Sequence, residues 1–373
     1  MKLSYIALSK IPSREANSVH VMKMCQALSK AGCDTNLIVP MIPAQDEDPY
    51  RFYGVDCCFK ISHVIWKKTL GSVFLFSYRI LKLLRAQNAQ CVYGRHLTSC
   101  AFAAFAGFRT VWESHTPVEY MGSIYSFIFR MMITRKHFVK LVVISSSLKK
   151  YYIEKYGMNP NDIEVMADCS DVVDIANIKV LNLDDVGYKA NVGYIGQLYP
   201  GKGMEIISAI VPLCPDVLCH IIGGKEADIK VWKKKLSDCK NVVFHGFVKP
   251  SETSTYGLSM DILIAPYLKK VQGAGAKNDK KNLAAWMSPL KIFEYMSYKK
   301  PIITSELPVL HDVLNESNSI MCNPEVVEEW VSAINYLVEN KIKSEELADA
   351  AYSDFINNYT WDIRAKRIID LYC

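Results

Sequence analysis

No apolar run in this sequence reaches the ~20 residues that a membrane-crossing helix needs, and no two cysteines stand in a C-x-x-C spacing. The first absence leaves no candidate transmembrane helix. The second, with twelve cysteines and an adjacent Cys57-Cys58 pair ill suited to bridging itself, argues against a zinc site or a disulfide framework. Reduced thiols in a cytosolic setting fit better. No secretory leader is expected either, since Met1-Lys2 runs straight into the strand-like Leu3–Leu8. There is no repeat of solenoid period, no low-complexity tract, and no G-x-G-x-x-G after the first strand. What is present is 373 residues, half of them apolar and 22% charged. That is too much chain for one ordinary core, so two globular domains are expected.

Charge is unevenly spread. Met1 to Ser170 holds 21 Lys and Arg against 12 Asp and Glu, a net +9, while the remainder holds 23 against 26, a net −3. A basic first half fits an anionic partner, either a phospholipid surface or a pyrophosphate-bearing substrate.

The chain opens as strand (Leu3–Ser9), loop (Lys10–Asn17), helix (Ser18–Ala31), a stop at Gly32 and strand (Thr35–Val39). This βαβ order predicts a parallel sheet. The loop, with Asn17 and Ser18 at its far end, lies where a doubly wound fold presents a substrate. Arg95 follows the end of the strand Gln90–Tyr93. A strand at Phe108–Trp112 delivers Glu113-Ser114-His115 into a loop, where His115 either faces a cleft or bonds backbone in a turn. Tyr120 to Lys140 mixes aromatics, Met131 and Met132 with Arg130, Arg135 and Lys136, and reads as a membrane-surface segment or a domain helix with a basic end. Ser145 caps a helix to about Tyr156, stopped by Gly157, and Asn159–Ala190 has the polar look of a linker.

The second half restarts with a strand, Val192–Ile195, followed by Gly196-Gln-Leu-Tyr-Pro-Gly201-Lys202-Gly203. This is nearly a P-loop, but Gly203 stands where magnesium needs a hydroxyl, so an NTPase is set aside. A lysine in a glycine-rich turn before a helix still suits a phosphate. Strands Val217–Ile222, ending at Gly223-Gly224, and Val242–Phe244, running into Gly246 and Val248, precede Ile262–Ala265. The long loop Tyr267–Ala285, with Lys269, Lys270, Lys277, Lys280 and Lys281, is either a lid over an anion or a solvated surface. Then comes AWMSPLKIFEYMSYKKPIITSELPVLHDV, Ala285 to Val313. Ser288-Pro289 offers N-cap and first-turn chemistry. Lys291 in the first turn opposes the helix dipole unless an anion is bound there, and Glu294 follows on nearly the same face. The alternative is a capped amphipathic helix with a surface Lys291–Glu294 pair. Helices at Glu325–Asn340 and Ser344–Ile356 and a segment at Trp361–Tyr372 close the chain.

With GQLYPGKG, SPLKIFEYM and KKPIITSELPVL in view, the sequence resembles the retaining glycosyltransferases of family 4. The likeness continues more loosely through PSREANSVHVMKMCQALSKAG, VWESHTP and LVVISSSLKKYYIEKYG. It implies an α/β fold of GT-B architecture, two Rossmann-like domains with parallel sheets facing each other across a cleft. The divisions expected are 1–178, 179–356, and a C-terminal helix at 357–373 packing back on the first domain. It implies catalytic roles for His115 beside the donor sugar, Lys202 on the donor diphosphate and Glu294 on the ribose. Donor-binding roles fall to Gln197 and Gly223, to Gly246 and Val248 near the base, to the backbone at Ser288, Pro289 and Leu290, and to Lys291. Asn17, Ser18 and Arg95 are expected on the acceptor side, and no cofactor and no metal are expected. Two departures stand out. Gln197 occupies a position where the family commonly has arginine, and Trp286 stands where the first of its paired glutamates would be.

The expected function is transfer of a sugar from a nucleotide-sugar such as a UDP-sugar to a saccharide or lipid-linked acceptor, in polysaccharide or lipopolysaccharide assembly. The expected setting is cytoplasmic, peripheral on the inner face of the plasma membrane, with no nucleic-acid partner. Two other classes share the reading: a nucleotide-sugar 2-epimerase of the same architecture, and a non-catalytic saccharide-binding protein.

Overall fold

Strands buried on both faces of a parallel sheet read as short apolar runs, and the alternation of such runs with helices sets the architecture. The computed structural model describes residues 1–43, 47–66, 69, 71–183, 187–272 and 281–373. It divides into two units, Met1–Asp168 with Trp361–Cys373, and Cys169–Thr360. Sequence reading puts these divisions at 178/179 and 356/357 instead.

In the first unit the order is β1 (Lys2–Ile6), α1 (Ala16–Lys30), β2 (Asp34–Pro40), α2 (Pro49–Tyr53), β3 (Lys60–Val64), α3 (Ser72–Ala86), β4 (Cys91–Gly94), α4 (Leu97–Phe105), β5 (Arg109–Ser114), α5 (Ser123–Ile133), β6 (Phe138–Val143), α6 (Ser146–Tyr156) and β7 (Ile163–Val165). Among the described residues these strands form one parallel sheet in the order β3-β2-β1-β4-β5-β6-β7. The order in which the chain adds strands reverses at β1, so the carboxyl ends of the neighbouring β1 and β4 flank a topological switch, the usual ligand position in such sheets. Ser145 caps α6 by accepting from the Leu148 amide at 3.3 Å, and Gly157 stops it in a left-handed conformation, as its sequence suggests.

Two expectations change. The stretch read as one element from Tyr120 is a short turn at Val118–Met121, then α5, because Gly122 takes φ 114° and breaks the helix axis. The segment read as a linker from Asn159 contributes β7, whose three residues pair with Leu141–Val143. A strand so short, set between Asn161-Asp162 and Asp168, leaves no periodic trace.

The second unit runs β8 (Ala190–Ile195), α7 (Met204–Ile210), β9 (Val217–Ile222), α8 (Glu226–Lys235), β10 (Val242–Gly246), α9 (Thr253–Leu258), β11 (Ile262–Ala265), α10 (Leu290–Ser297), β12 (Ile302–Ser305), β13 (Ile320–Cys322), α11 (Val327–Glu339) and α12 (Lys341–Asn358). Its sheet, again parallel, is ordered β10-β9-β8-β11-β12-β13. Its core joins Tyr194, Ile207, Ile221, Ile264 and Ile303 to Trp330 and Ile334 of α11. Of the lysines expected in the long loop, Lys277 and Lys280 lie outside the described residues, and Lys269 pairs with Glu325 at 2.6 Å. The start of α10 also corrects an expectation. Pro289, not Ser288, is the extended capping residue, and no side chain caps the helix.

A last helix, α13 (Trp361–Asp370), packs on α1 within the first unit. There Arg364 is 2% exposed and the Tyr372 hydroxyl donates to the Val92 carbonyl at 2.6 Å. All twelve cysteines are free. Among the described residues no helix is long and apolar enough to cross a membrane.

Candidate functional site

In the second unit, three glycines end adjacent strands. Gly196 follows β8, Gly223 follows β9 and Gly246 ends β10. The Gly223 amide donates to the Gly246 carbonyl at 2.7 Å, and a Cβ on Gly223 would stand 2.3 Å from the Gly196 carbonyl oxygen. Side chains are thus kept off the strand ends, which leaves bare backbone along that edge of the sheet.

The turn carrying Lys202 is pressed onto the segment after β11. A Cβ on Gly201, which has φ 79°, would lie 2.0 Å from the Lys270 carbonyl oxygen, and the Leu268 amide donates to the Gly201 carbonyl at 3.0 Å. From the other side α10 is anchored by Tyr295, whose hydroxyl accepts from the Ile195 amide at 2.8 Å. That anchor aims Lys291 at the same place. The Lys291 ammonium lies 3.7 Å from the centre of the Tyr194 ring and 5.1 Å from that of Tyr267, while the Lys202 ammonium lies 5.6 Å from the Tyr267 ring. Two lysines, distant in sequence, therefore share one aromatic wall. A Cβ on Gly196 would meet the Lys291 nitrogen at 2.9 Å, so a side chain there would push the ammonium from its place.

The electrostatics are those of a site waiting for negative charge. The Lys291 ammonium is buried without a hydrogen-bond partner. Burial first, and then repulsion from Lys202, hold it well below the ordinary lysine range, with Glu294 pulling the other way. Burial alone brings Lys202 down to about 8. An isolated buried ammonium costs several kcal/mol, whereas the tyrosine faces return on the order of 2 kcal/mol when desolvated. An anion accepting from both lysines would remove the deficit. It follows that inorganic pyrophosphate or a nucleoside diphosphate should bind most tightly with both lysines protonated. Affinity should fall as pH rises through about 8, approaching tenfold per unit. Titrations at pH values on either side of this value check the point, and a flat profile would contradict it.

The remaining candidates in this unit lie as follows. Glu294 is half-buried one turn along α10, and Ser288, Pro289 and Leu290 are half-buried at its amino end. The Gln197 carbonyl accepts from the Tyr194 hydroxyl at 2.7 Å, so Gln197 braces the wall behind Lys291. Val248 is half-buried beyond β10.

In the first unit, β5 delivers Glu113 and His115 beside α1 and α13. Glu113 is 1% exposed and gathers four partners. Its Oε1 accepts from His115 Nε2 and lies 3.3 Å from His20 Nε2, and its Oε2 accepts from the Tyr93 hydroxyl and lies 3.2 Å from Arg364 Nη2. On the far side of His20, Nδ1 meets Asp168 Oδ1 at 2.9 Å. Burial pushes the Glu113 carboxyl up, but Arg364 and the histidines more than offset it, leaving it well below the usual carboxylate range. His115 is brought down to about 4, by burial first and then by Arg95. Its ring is therefore neutral near pH 7. With Nε2–H given to Glu113, its lone pair stays on Nδ1, ready to accept from a hydroxyl. His20, Glu113 and His115 place possible metal-ligand atoms within 4.8 Å of one another. Arg364 already supplies the opposing charge, so the cluster stands complete as an ion-pair network. Arg95 Nη1 donates to the Asn17 carbonyl at 3.5 Å, which brings these two acceptor-side candidates together. Ser18 is fully buried, its hydroxyl donating to the Glu15 carbonyl at 2.6 Å, so it holds the turn before α1.

Comparison with known families now decides the class. A family model described as glycosyltransferase family 4 matches residues 18–169, and one described as glycosyl transferases group 1 matches residues 189–340. Together the two matches run through both units. The chain belongs to glycosyltransferase family 4. No curated protein matches it significantly by sequence. Among solved structures, HepE from Anabaena in complex with UDP and glucose superposes with a TM-score of 0.73 at 14% identity, over 100% of this chain and 99% of that one. A glycosyltransferase from Rickettsia africae gives 0.75 at 13% identity, over 100% and 98%. The lipopolysaccharide outer core galactosyltransferase WaaB gives 0.66 at 15% identity, over 100% and 99%. The fold of this glycosyltransferase is GT-B.

Several residues of the glycosyltransferase's candidate site carry little signal in the sequence. Tyr194 and Tyr267 are single aromatics near strand ends, indistinguishable from core residues until the lysines are seen above them. His20, Asp168 and Arg364 come from three distant segments. The placing of Glu113 and His115 two residues apart in Glu113-Ser114-His115 is the one sequence cue to the network.

Proposed function

We propose that this glycosyltransferase is a retaining enzyme that moves a hexosyl or N-acetylhexosaminyl group from a UDP-sugar to a saccharide or lipid-linked acceptor, in surface polysaccharide or lipopolysaccharide assembly. The observation that carries the donor side is the buried, unpartnered Lys291 ammonium sharing the Tyr267 ring with Lys202. In this reading both lysines and the amino end of α10 hold the donor diphosphate. Glu294 takes the ribose hydroxyls, Gly246 to Val248 meet the base, and Gly223 and Gln197 shape the pocket behind. Negative charge grows on the diphosphate as the sugar leaves, and fixed cations in a dry site stabilise it more than water does. His115, neutral and oriented by Glu113, accepts from a donor-sugar hydroxyl. Arg95 and Asn17 stand on the acceptor side, with Ser18 supporting the turn. Retention would follow from attack on the face the diphosphate leaves, which then takes the acceptor's proton. The UDP and UDP-glucose complexes of HepE and the lipopolysaccharide enzymes WaaB and WaaG support the donor and pathway classes. A lipid-linked acceptor would suit work at the cytoplasmic face of a membrane, and the basic first half supports that reading.

Lys202→Ala and Glu294→Ala are each expected to lower turnover by on the order of a hundredfold or more, with the fold of the ligand-free protein intact. UDP release from a panel of UDP-sugars, measured with and without acceptor, supplies the readout. Near-normal rates in both variants would defeat the assignment.

A further inference from the structure

The first unit carries an apolar surface that sugar transfer does not use. From β3 onward every crossover steps the same way across the sheet, so right-handed connections put α3, α4 and α5 in one layer on one face. Packing of α3 on α4 and of α4 on α5 agrees with this. The inner side of α3 gives Phe76, Ile80 and Leu84 to the core, and α5 buries Phe129 and Met132. The outer side is also apolar. Phe74, Leu75 and Tyr78 of α3 and Phe105 of α4 are exposed, and Ile124 and Phe127 of α5 are each 64% exposed. In parallel βαβ units helices start at the carboxyl edge of the sheet, so Phe74, Leu75, Ile124 and Phe127, all in early turns, lie toward the edge that carries Arg95 and His115.

Charge on this layer is of one sign. The sequences of α3, α4 and α5 contain no Asp or Glu but include Arg79, Lys82, Arg85 and Arg130. The Lys82 ammonium lies 4.8 Å from the Tyr78 ring centre, and the Arg135 guanidinium lies 4.5 Å from that of Phe105. Basic groups are thus interleaved with the exposed rings. The carboxylate of Glu119, in the turn before α5, is bonded to the Tyr156 hydroxyl.

We propose that the outer face of α3, α4 and α5 docks on an anionic phospholipid surface. Phe74, Leu75, Ile124 and Phe127 enter the headgroup boundary, while Lys82, Arg85, Arg130 and Arg135 meet lipid phosphates. Apolar side chains ringed by long-stemmed cations match that interface, because the stems lie along apolar surface while the charges stay wet. A uniformly basic layer is complementary to an anionic leaflet, each cation adding to the attraction. The inference gives a specific surface to the membrane placement proposed above and would set the acceptor-side edge of the sheet toward a lipid-linked substrate.

Flotation of the full-length protein tests it, using vesicles of phosphatidylcholine alone and of equal parts phosphatidylcholine and phosphatidylglycerol. The protein should float with the anionic vesicles, stay down with the neutral ones, and detach as salt rises. The double substitution Ile124→Ser, Phe127→Ser should weaken anionic-vesicle binding by about a hundredfold, leaving the thermal shift caused by UDP unchanged. A wild-type protein that ignores anionic vesicles, or a double variant that binds them as well as wild type, would overturn the proposal. So would a dimer that the double substitution converts to monomer, since the face would then belong to a second copy. Absence of any UDP shift in wild type would count against the transfer reading and leave the docking result standing.

Discussion

Replacing Lys291 with methionine is expected to make the protein more stable and nearly inactive. Methionine keeps the length of the side chain and offers a polarizable sulfur to the Tyr194 and Tyr267 rings. It removes an ammonium that has no hydrogen-bond partner in the ligand-free fold and that burial and Lys202 already hold well below its ordinary range. Removing such a group should add about 1–2 kcal/mol of stability, or several degrees in melting temperature for a unit of this size. Transfer should drop by on the order of 10²–10³, the usual cost of losing one preorganised contact to developing charge. Opposite signs in the two measurements are the signature of a group kept for a ligand. A less stable variant with normal turnover would show that Lys291 serves the fold instead.

Replacing Arg364 with methionine should do the reverse, costing stability first. It would leave the buried Glu113 carboxylate without its one permanent counter-charge, 3.2 Å away, and breaking a buried pair on one side typically costs about 3–5 kcal/mol. The pH dependence follows from the signs. In the wild type the Glu113 carboxyl is depressed, so its contribution is present above the unfolded value near 4.3 and is lost as pH falls through the folded one. In the variant, burial dominates and the folded value rises, so the penalty is largest near neutral pH and eases on acidification. The gap in melting temperature between the two proteins should therefore be wide at pH 7 and narrow toward pH 4.5. A gap that is absent, or that does not change with pH, would show that Glu113 draws its stability elsewhere.

Much of the fold is legible in the sequence because parallel strands covered on both faces have to be apolar. Val217–Ile222 and Ile262–Ala265 stand out for that reason. Helix stops are legible where one residue carries the geometry, as at Gly157. Legibility fails where an element is too short for a period, as in Ile163–Val165, and where capping is decided by backbone rather than by residue type, as at Pro289. The donor side is half visible. Lys202 and Lys291 each sit in a recognisable turn, but their meeting over Tyr267 depends on how the turn after β8 packs on the chain after β11. The network around Glu113 is the least visible part, because His20 and Asp168 stand 148 residues apart and Arg364 comes from beyond the whole second unit. No local pattern announces that these side chains will neutralise one another.

The position of α13 bears on the order in which the molecule is made. The Arg364 guanidinium and the Tyr372 hydroxyl belong to the first unit, yet all of Cys169–Thr360 is translated before them. While the second unit emerges, the opening sheet holds the Glu113 carboxylate without its arginine and the Val92 carbonyl without its donor. The half of the protein that begins first on the ribosome is thus the half that finishes last.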